Sequence, residues 1–287
     1  MKIRPECIPC ILRVRSEEII KGKLSENEKI ASLVELLKLA SELSITNPYT
    51  VELAWLLFNQ VRKRVRTEDP YKRYKELSND IIKEVLRVKS AFLSEMGIEE
   101  KFMVLVLASV NANSIDPGAP PFEINLRDIS GKLFSGVFAV DERRKIFERL
   151  SEASKVVYIL DNAGEAVVDL EIVKLLEKLG IDVTVVARSL PYQNDITVTE
   201  AKRLGFRKVI GTGSGFPGIW PEYVSKKVIE IIQEADQVVA KGMANYEAFY
   251  AKPPGRDVIH ILKAKCKPVA ETLGVEVNAN VAKIIKW

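Results

Sequence analysis

The sequence predicts an α/β fold, a three-layer and mostly parallel sheet preceded by an N-terminal helical subdomain. After Glu152, short apolar runs alternate with segments of helical period, which is the order of strands and helices in βαβ units. The strongest strand is Val156–Leu160, an uninterrupted apolar run typical of a strand buried on both faces. Before Glu152 the pattern is largely helical. We therefore expect two parts, residues 1–150 and 151–287, which could also form one integrated domain.

Composition limits the classes of protein to consider. The chain has 287 residues, of which 47% are hydrophobic and 29% charged, as expected for a globular protein with a substantial core. A net charge of +4 is too small to predict a nucleic-acid partner. The longest apolar run, Phe102–Ala108, is too short to span a bilayer, and the first residues lack the apolar core of a signal peptide. We expect a cytoplasmic protein that binds neither nucleic acid nor membrane, and an odd number of cysteines fits a reducing compartment.

Helix signals punctuate the first part of the chain. Pro5 suits a first helical turn and Gly22 suits a helix end. Ser25 and Glu28 have the spacing of a capping box and predict the start of a second helix. Further helices are predicted after Pro48, from Asp69 to near Gly97, and over Lys101–Val110.

Strands and helices alternate in the second part. Strands are predicted at Val156–Leu160, Val183–Ala187, Lys208–Ile210, Gln237–Ala240 and Val258–Leu262. Helices are predicted at Glu165–Leu179, Ile196–Leu204, Pro221–Ala235 and Pro268–Leu273. These elements predict a sheet with helices on both faces.

Polar side chains follow several of these strands, at the point where each strand ends. Asp161 and Asn162 follow the first strand, and Asn194 and Asp195 follow the second. Lysines follow two later strands: Lys241, Lys263 and Lys265. The carboxyl ends of parallel strands share one edge of a sheet, where ligands bind. Carboxylate and amide oxygens suit a divalent cation, and a metal with nearby lysines is what phosphoryl transfer requires.

Four sequence motifs stand out in this part of the chain: D-N-A-G-E at 161–165, P-x-x-N-D-x-T at 191–197, K-G-M-A-N-Y-E at 241–247 and K-A-K-C at 263–266. Together they resemble the DUF89 family of metal-dependent damage-control phosphatases. E-C-I-P-C at 6–10 resembles the branch with an N-terminal C-x-x-C, and D-P-Y at 69–71 and N-S-I-D at 113–116 resemble further parts of the pattern. Ala112 departs from the family pattern, which often has glycine immediately before the asparagine that corresponds to Asn113. The resemblance covers nearly the whole chain.

The resemblance implies hydrolysis of phosphate monoesters of sugars or other small, possibly damaged, metabolites. It implies that Asp161, Asn162 and Asp195 are metal ligands and that Lys265 binds phosphate. It also implies substrate-binding roles for four other residues: Lys241, Asn245, Asn113 and Asp116. The expected cofactor is a divalent metal, Mg²⁺, Mn²⁺, Co²⁺ or Ni²⁺.

Catalytic roles follow from this ligand set as hypotheses. We expect the metal held by Asp161, Asn162 and Asp195 to polarise the phosphate and orient the attacking water, while Lys265 neutralises developing charge. Glu165, at the start of a helix, is either a catalytic base or an acid that stabilises the helix N-terminus.

Two other classes of function stay open. G-T-G-S-G-F-P-G at 211–218 has the letters of a dinucleotide fingerprint after a strand, so the Gly211–Gly218 loop could belong to a dinucleotide-binding or sensor protein. Pro217 interrupts that loop, and Lys241 stands where the fingerprint has an acid. A non-catalytic scaffold of the same fold would leave the acids at the strand ends without a role. The cysteines Cys7, Cys10 and Cys266 are either buried structural thiols or a metal or redox group.

Overall fold

The computed structural model describes residues 1–46, 49–112 and 132–287. Within these ranges one sheet contains β1 (Phe138–Asp141), β2 (Lys155–Ile159), β3 (Asp182–Ala187), β4 (Val209–Gly211), β5 (Gln237–Lys241), β6 (Asp257–Ala264) and β7 (Ala279–Lys286). The strand order is β1-β7-β6-β5-β2-β3-β4. The strands from β6 to β4 are mutually parallel, whereas β7 is antiparallel to β6 and parallel to β1. The predicted α/β class with a mostly parallel sheet is confirmed.

The described residues also form helices, some before the sheet and some between its strands along the chain. They are α1 (Cys7–Lys21), α2 (Glu26–Thr46), α3 (Thr50–Arg64), α4 (Lys72–Val88), α5 (Ser90–Ser94), α6 (Ile98–Ala112), α7 (Arg143–Ser151), α8 (Glu165–Lys178), α9 (Val198–Leu204), α10 (Lys226–Glu234), α11 (Gly242–Ala251) and α12 (Lys267–Leu273). None of them combines the length and the apolar character that crossing a bilayer would require.

Local sequence signals explain several of these boundaries. Helix α1 ends at Lys21, immediately before the predicted stop at Gly22. The Ser25–Glu28 capping box forms: the Ser25 N–H donates to Glu28 Oε2 over 2.9 Å and the Glu28 N–H donates to Ser25 Oγ over 3.3 Å. A second capping box, which was not predicted, joins Thr197 and Glu200 at the start of α9. These bonds satisfy backbone donors that a helix N-terminus leaves unpaired.

Strand β2 shows why the parallel strands are visible in the sequence. Val156 and Tyr158 pack into the core on one face of the sheet, and Val157 and Ile159 pack into the core on the other. A strand covered on both faces needs apolar residues at every position, so it appears as an unbroken apolar run.

Four elements were not predicted individually: β1, α7, β7 and α11. The single helix predicted from Asp69 to near Gly97 is two helices, α4 and α5. The sequence of β7 mixes lysines with apolar residues, and its burial is only partial toward its end. Helix α11 is buried around most of its circumference, so it lacks the single apolar stripe from which helices are predicted. The division at residue 150 stays a prediction, and β1, which precedes it, pairs with β7.

Helix α3 connects α1 and α2 to the α/β part, whereas α4 and α6 pack directly against α8. Helices α1, α2 and α3 share an apolar cluster of their own. A second cluster, formed by Val51, Phe216, Trp220 and Ala248, packs α3 against α11 and against the segment after β4. This contact places the N-terminus of α3 near the carboxyl ends of the parallel strands.

Candidate active site

The segments after β2 and β3 meet at the edge of the sheet. The two segments form an isolated antiparallel bridge in which Asn162 pairs with Asp195. The Ile196 N–H donates to the Asp161 carbonyl oxygen over 2.9 Å. Asp161, Asn162 and Asp195 are nearly buried, with 6%, 5% and 4% of each residue exposed. The structure therefore brings Asp195 next to Asp161 and Asn162, the other two residues predicted as metal ligands, although Asp195 follows a different strand.

A single cavity of about 150 Å³ contacts all of these residues and Lys265. The rest of its lining comes from the start of α3, the β3–α9 connection, the segment before α10, and α11: Thr50, Val51, Ala54, Tyr192, Gln193, Pro217, Met243, Ala244 and Glu247. Gln193 has a φ of 42°, a left-handed conformation that is unfavourable for a residue with a side chain. Oxygen donors and an ammonium group thus converge on one small space.

Gly242 provides the room that Asp161 occupies. Its φ is +77°, and a Cβ built on it would lie 1.8 Å from Asp161 Oδ2 and 2.1 Å from Asp161 Cγ. Only glycine combines this backbone conformation with so close an approach. The glycine of the K-G-M-A-N-Y-E motif therefore holds a place for the carboxylate at the bottom of the site.

The amide of Asn162 has a defined orientation. Its Nδ2 donates to Asp161 Oδ2 over 2.8 Å and to Glu165 Oε2 over 3.4 Å. With the amide nitrogen engaged by two carboxylates, the carbonyl oxygen is the atom of this side chain that can coordinate a cation. Among the described residues no three Cys, His, Asp or Glu side chains are grouped to hold a metal. The donor set that fits a hard divalent cation therefore depends on this amide together with Asp161 and Asp195.

A fully buried charge network lies behind these residues. Lys241 Nζ contacts Glu165 and Ser109, and it lies 3.0 Å from Asp169 Oδ1. Asp169 Oδ1 also accepts hydrogen bonds from Ser109 Oγ at 2.7 Å and from Tyr158 Oη at 2.8 Å. Burial alone would lower the pKa of Lys241, but the carboxylates of Asp169 and Glu165 hold it above its ordinary value. Burial raises the pKa of Glu165 to about 7, against the opposing effect of Lys241.

Three predicted site residues lie outside the cavity lining. Glu165 and Lys241 belong to the buried network, where they contact each other and Glu165 accepts from the Asn162 amide. Asn245 is also fully buried, and its Nδ2 donates to the Lys241 carbonyl oxygen over 2.7 Å. The catalytic role of Glu165 and the substrate-binding roles of Lys241 and Asn245 stay predictions, and the geometry favours positioning. The other two predicted substrate-binding residues, Asn113 and Asp116, lie outside the described residues.

Glu247 lines the cavity and was not predicted from the sequence. It is 8% exposed, and burial raises its pKa to about 7, with the N-terminal ammonium and a hydrogen bond from Thr50 acting in the opposite direction. Glu247 is the last letter of K-G-M-A-N-Y-E, so the motif contained the signal. Its place in the site depends on α11, which periodicity did not reveal.

A second residue that was not predicted is Arg188, directly after β3. It is 1% exposed, and its Nε donates to Asp195 Oδ2 over 2.8 Å. In the sequence it is only the last residue of a strand-like run, and nothing there indicates a partner.

The three cysteines are free thiols in the structure. Cys7 is buried, Cys10 is exposed and Cys266 is partly buried. Burial raises the pKa of the Cys7 thiol, and raises that of Cys266 to about 11. High pKa values make these two thiols poor nucleophiles, which favours the interpretation as structural thiols.

The glycine-rich loop does not have the form of a dinucleotide site. The helix that follows it, α10, begins only at Lys226, whereas a fingerprint loop opens directly into its helix. A Cβ at Gly218 would lie 2.5 Å from Ala248 Cβ and 2.8 Å from the Ala244 carbonyl oxygen. This glycine therefore allows close packing against α11.

Comparisons with known proteins agree with this architecture. The family model of the damage-control phosphatase ARMT1-like domain matches residues 3–281. A damage-control phosphatase of Archaeoglobus fulgidus is 30% identical over 295 residues, covering 100% of both chains. An uncharacterised protein of Methanocaldococcus jannaschii is 33% identical over 291 residues, covering 98% of this chain and 95% of the relative.

A solved structure shows the same fold. The crystal structure of a DUF89 family protein from Pyrococcus horikoshii superimposes with a TM-score of 0.87 at 25% identity, covering 98% of each chain. Because the family model matches almost the whole of this chain, the chain belongs to the ARMT1-like, or DUF89, family of damage-control phosphatases.

Proposed function

We propose that this protein is a metal-dependent phosphatase that hydrolyses phosphate monoesters of sugars or other small metabolites. The observation that carries the proposal is the convergence of Asp161, Asn162, Asp195 and Lys265 on one cavity. Relatives from Archaeoglobus fulgidus and Pyrococcus horikoshii carry the name damage-control phosphatase, which supports the same class of reaction.

The charges of the cavity support a bound cation. Asp161 and Asp195 bring two carboxylates to adjoining segments, and a phosphate monoester would add further negative charge. In this proposal Asp161, Asn162 and Asp195 hold a divalent metal such as Mg²⁺, Mn²⁺, Co²⁺ or Ni²⁺, which when bound supplies Lewis-acid stabilisation of the phosphate oxygens. Lys265 binds the phosphate from another side of the cavity and stabilises charge on its oxygens.

The size of the required rate acceleration favours this arrangement. Enzymes accelerate phosphate monoester hydrolysis by up to ~10²¹. A single general acid or base contributes about 10²–10⁴. Positioned cations must therefore supply much of the acceleration. In this proposal they are the metal held by Asp161, Asn162 and Asp195, and the ammonium group of Lys265.

The remaining cavity surface would receive the alcohol part of the substrate. Val51, Ala54 and Ala244 offer small apolar contacts, while Thr50 and Glu247 offer hydrogen-bonding groups. A cavity of about 150 Å³ favours a small metabolite over a macromolecular substrate.

The test is a phosphatase panel of sugar phosphates, phosphopantetheine derivatives and p-nitrophenyl phosphate, run with each of the four metals and with excess chelator. We expect turnover with metal, loss of turnover in chelator, and background rates for Asp161→Ala and Asp195→Ala in the folded protein. Asp80→Ala is the matched control, because Asp80 is an exposed aspartate whose side chain is 74% accessible. Unchanged rates in both site variants, or full activity in excess chelator, would contradict the proposal.

A further inference from the structure

Arg188 joins three segments of the candidate site. Its Nε donates to Asp195 Oδ2 over 2.8 Å, and its Nη2 donates to the Pro217 carbonyl oxygen over 2.6 Å and to Asn245 Oδ1 over 3.3 Å. These partners belong to the β3–α9 connection, the segment after β4, and α11. One buried guanidinium thus connects a predicted metal ligand to two structural elements around it.

The backbone explains why Arg188 and Asp195 meet. The Arg188 N–H donates to the Ile196 carbonyl oxygen over 3.2 Å, and the Val198 N–H donates to the Arg188 carbonyl oxygen over 2.9 Å. The residues between them form a loop whose two ends are held side by side. These backbone hydrogen bonds therefore bring the side chain of Arg188 next to the end of the loop that carries Asp195.

The ion pair restricts the carboxylate. A guanidinium presents planar donors at fixed angles, so it fixes the direction of an acceptor more strongly than an ammonium group does. Arg188 and Asp195 are both almost completely buried, with side-chain exposures of 1% and 6%. Solvent therefore screens the pair weakly, and the rotamer of Asp195 is held where it lines the cavity.

The buried ion pair between Arg188 and Asp195 is not the arrangement that would give the most stable packing. Among the described residues Arg188 Nη1 has no hydrogen-bond partner, although it is buried. A buried N–H without a partner destabilises the folded state, and apolar residues of similar volume often serve a purely structural role as well or better. An arrangement that costs stability is expected where a functional group must be held in place.

A parallel arrangement exists for the neighbouring ligand. Lys241 contacts Glu165, and Glu165 Oε2 accepts from the Asn162 amide over 3.4 Å. Buried cations thus lie behind both ligand-bearing segments. Lys241 faces two carboxylates, whereas Arg188 has Asp195 as its carboxylate partner in the described residues.

We propose that Arg188 is a positioning residue that holds the Asp195 carboxylate in the orientation needed to bind the metal, with Asn245 and the Pro217 carbonyl fixing the guanidinium in turn. This inference rests on the proposed function, since it concerns the same metal site. It assigns Arg188 a role in metal affinity and no contact with substrate.

The test measures Mn²⁺ binding directly, by calorimetric titration and by the electron paramagnetic resonance signal of the bound ion. Arg188→Lys keeps the charge but removes the planar fork, and we expect its Kd for Mn²⁺ to rise about 10–100-fold. Asn245→Ser removes one support of the guanidinium and leaves the ion pair, so a smaller rise in Kd is expected. This second variant keeps the inference testable if Arg188→Lys does not fold.

Arg256→Lys is the matched control. Arg256 is partly buried and, like Arg188, donates to backbone carbonyls: to the Ala235 oxygen over 2.6 Å and to the Asp236 oxygen over 3.1 Å. It does not line the cavity. We expect Arg256→Lys to lower thermal stability without changing the Kd for Mn²⁺.

Three outcomes separate this inference from the proposed function. If Arg188→Lys and Asn245→Ser bind Mn²⁺ with the Kd of the wild type, and the wild type is an active phosphatase, the role of Arg188 is overturned but the proposed function is not. If Arg256→Lys raises the Kd for Mn²⁺ as much as Arg188→Lys does, Arg188 is a structural residue, and the inference is also overturned. A wild-type chain that binds none of Mg²⁺, Mn²⁺, Co²⁺ and Ni²⁺ overturns the proposed function together with this inference.

Discussion

The cavity is lined by two surfaces of different construction. The strand-end surface, defined as Asp161, Asn162 and Asp195, is polar, and buried charges behind it hold the side chains in place. The helical surface, defined as Thr50, Val51, Ala54, Ala244 and Glu247, comes from α3 and α11 and is mostly small and apolar. The first surface suits a group that must be placed accurately, and the second suits contact with a variable part of a substrate. Under the proposed function, we therefore predict that metal binding and substrate selection can be altered separately.

The largest expected effect comes from breaking the buried charge network behind the strand-end surface. Lys241→Met leaves Glu165 and Asp169 buried without their cation, and removing one partner of a buried ion pair costs about 3–5 kcal/mol. Urea unfolding followed by circular dichroism measures this loss. Lys208→Met is the control, because Lys208 pairs with Asp182 at the surface and such pairs contribute less than about 1 kcal/mol. Equal losses in the two variants would contradict the idea that charge holds the strand-end surface.

Gly242→Ala tests whether the strand-end surface tolerates displacement. The new Cβ would lie 1.8 Å from Asp161 Oδ2, so the carboxylate must move, and a shift of about 1 Å at a reacting centre costs about 10² in rate. We expect kcat/KM to fall about 100-fold, with weaker Mn²⁺ binding by calorimetry.

Gly255→Ala is the control for backbone strain in that experiment. Gly255 has a similar φ of +71°, and a Cβ added there would have no neighbouring atom within 4 Å. It should lose stability from the left-handed conformation while keeping Mn²⁺ affinity and turnover. If Gly242→Ala behaved in the same way, Asp161 would not need the space that the structure gives it.

Glu247→Gln tests, through the pH dependence of stability, whether Glu247 on the helical surface is buried as a titratable group. The folded-state pKa of Glu247 is about 7, above its ordinary value of 4.5, so between these values the folded chain binds more protons than the unfolded chain. Stability from this group is full below pH 4.5 and is lost as pH rises to 7, at up to about 1.4 kcal/mol per pH unit. We expect the free energy of unfolding of the wild type, minus that of Glu247→Gln, to fall over this window.

The control for the pH experiment is Glu222→Gln. Glu222 is a carboxylate whose pKa is lowered by its hydrogen bond with Lys252, so its contribution changes only below its ordinary value of 4.5. The difference between the wild type and this variant should be flat from about pH 5 to pH 7. A flat difference for Glu247→Gln as well would show that Glu247 is solvated in the folded protein.

The smallest expected effect is in the helical surface itself. Ala54→Val adds volume to a cavity of about 150 Å³ without touching the strand-end residues, and we expect KM to rise several-fold, about 1 kcal/mol, with Mn²⁺ affinity unchanged. Steady-state kinetics on the best substrate of the panel measures it, with Ala54→Ser as a control of nearly equal size. A loss of metal binding in Ala54→Val would show that the two surfaces are not separable.

Much of the α/β part was predictable because its physics is local. Strands such as β2 are covered on both faces, so burial itself produces the apolar runs from which they were predicted. The parallel arrangement then places Asp161 and Asp195 at one edge. Helix α11 escaped prediction because it is buried on most sides, and β7 because its lysines interrupt the apolar pattern.

The sequence by itself determined the fold class and the candidate residues at the strand ends, because strand periodicity and residue type are properties of short segments. The resemblance to the family came from its short motifs, which are also local. Only the tertiary structure decided what surrounds those ligands: that Arg188 contacts Asp195, that Lys241 faces the buried network, and that Glu247 lines the cavity. Such pairings depend on the packing of elements distant in the chain, and a buried charge shows its partner only when both are in place.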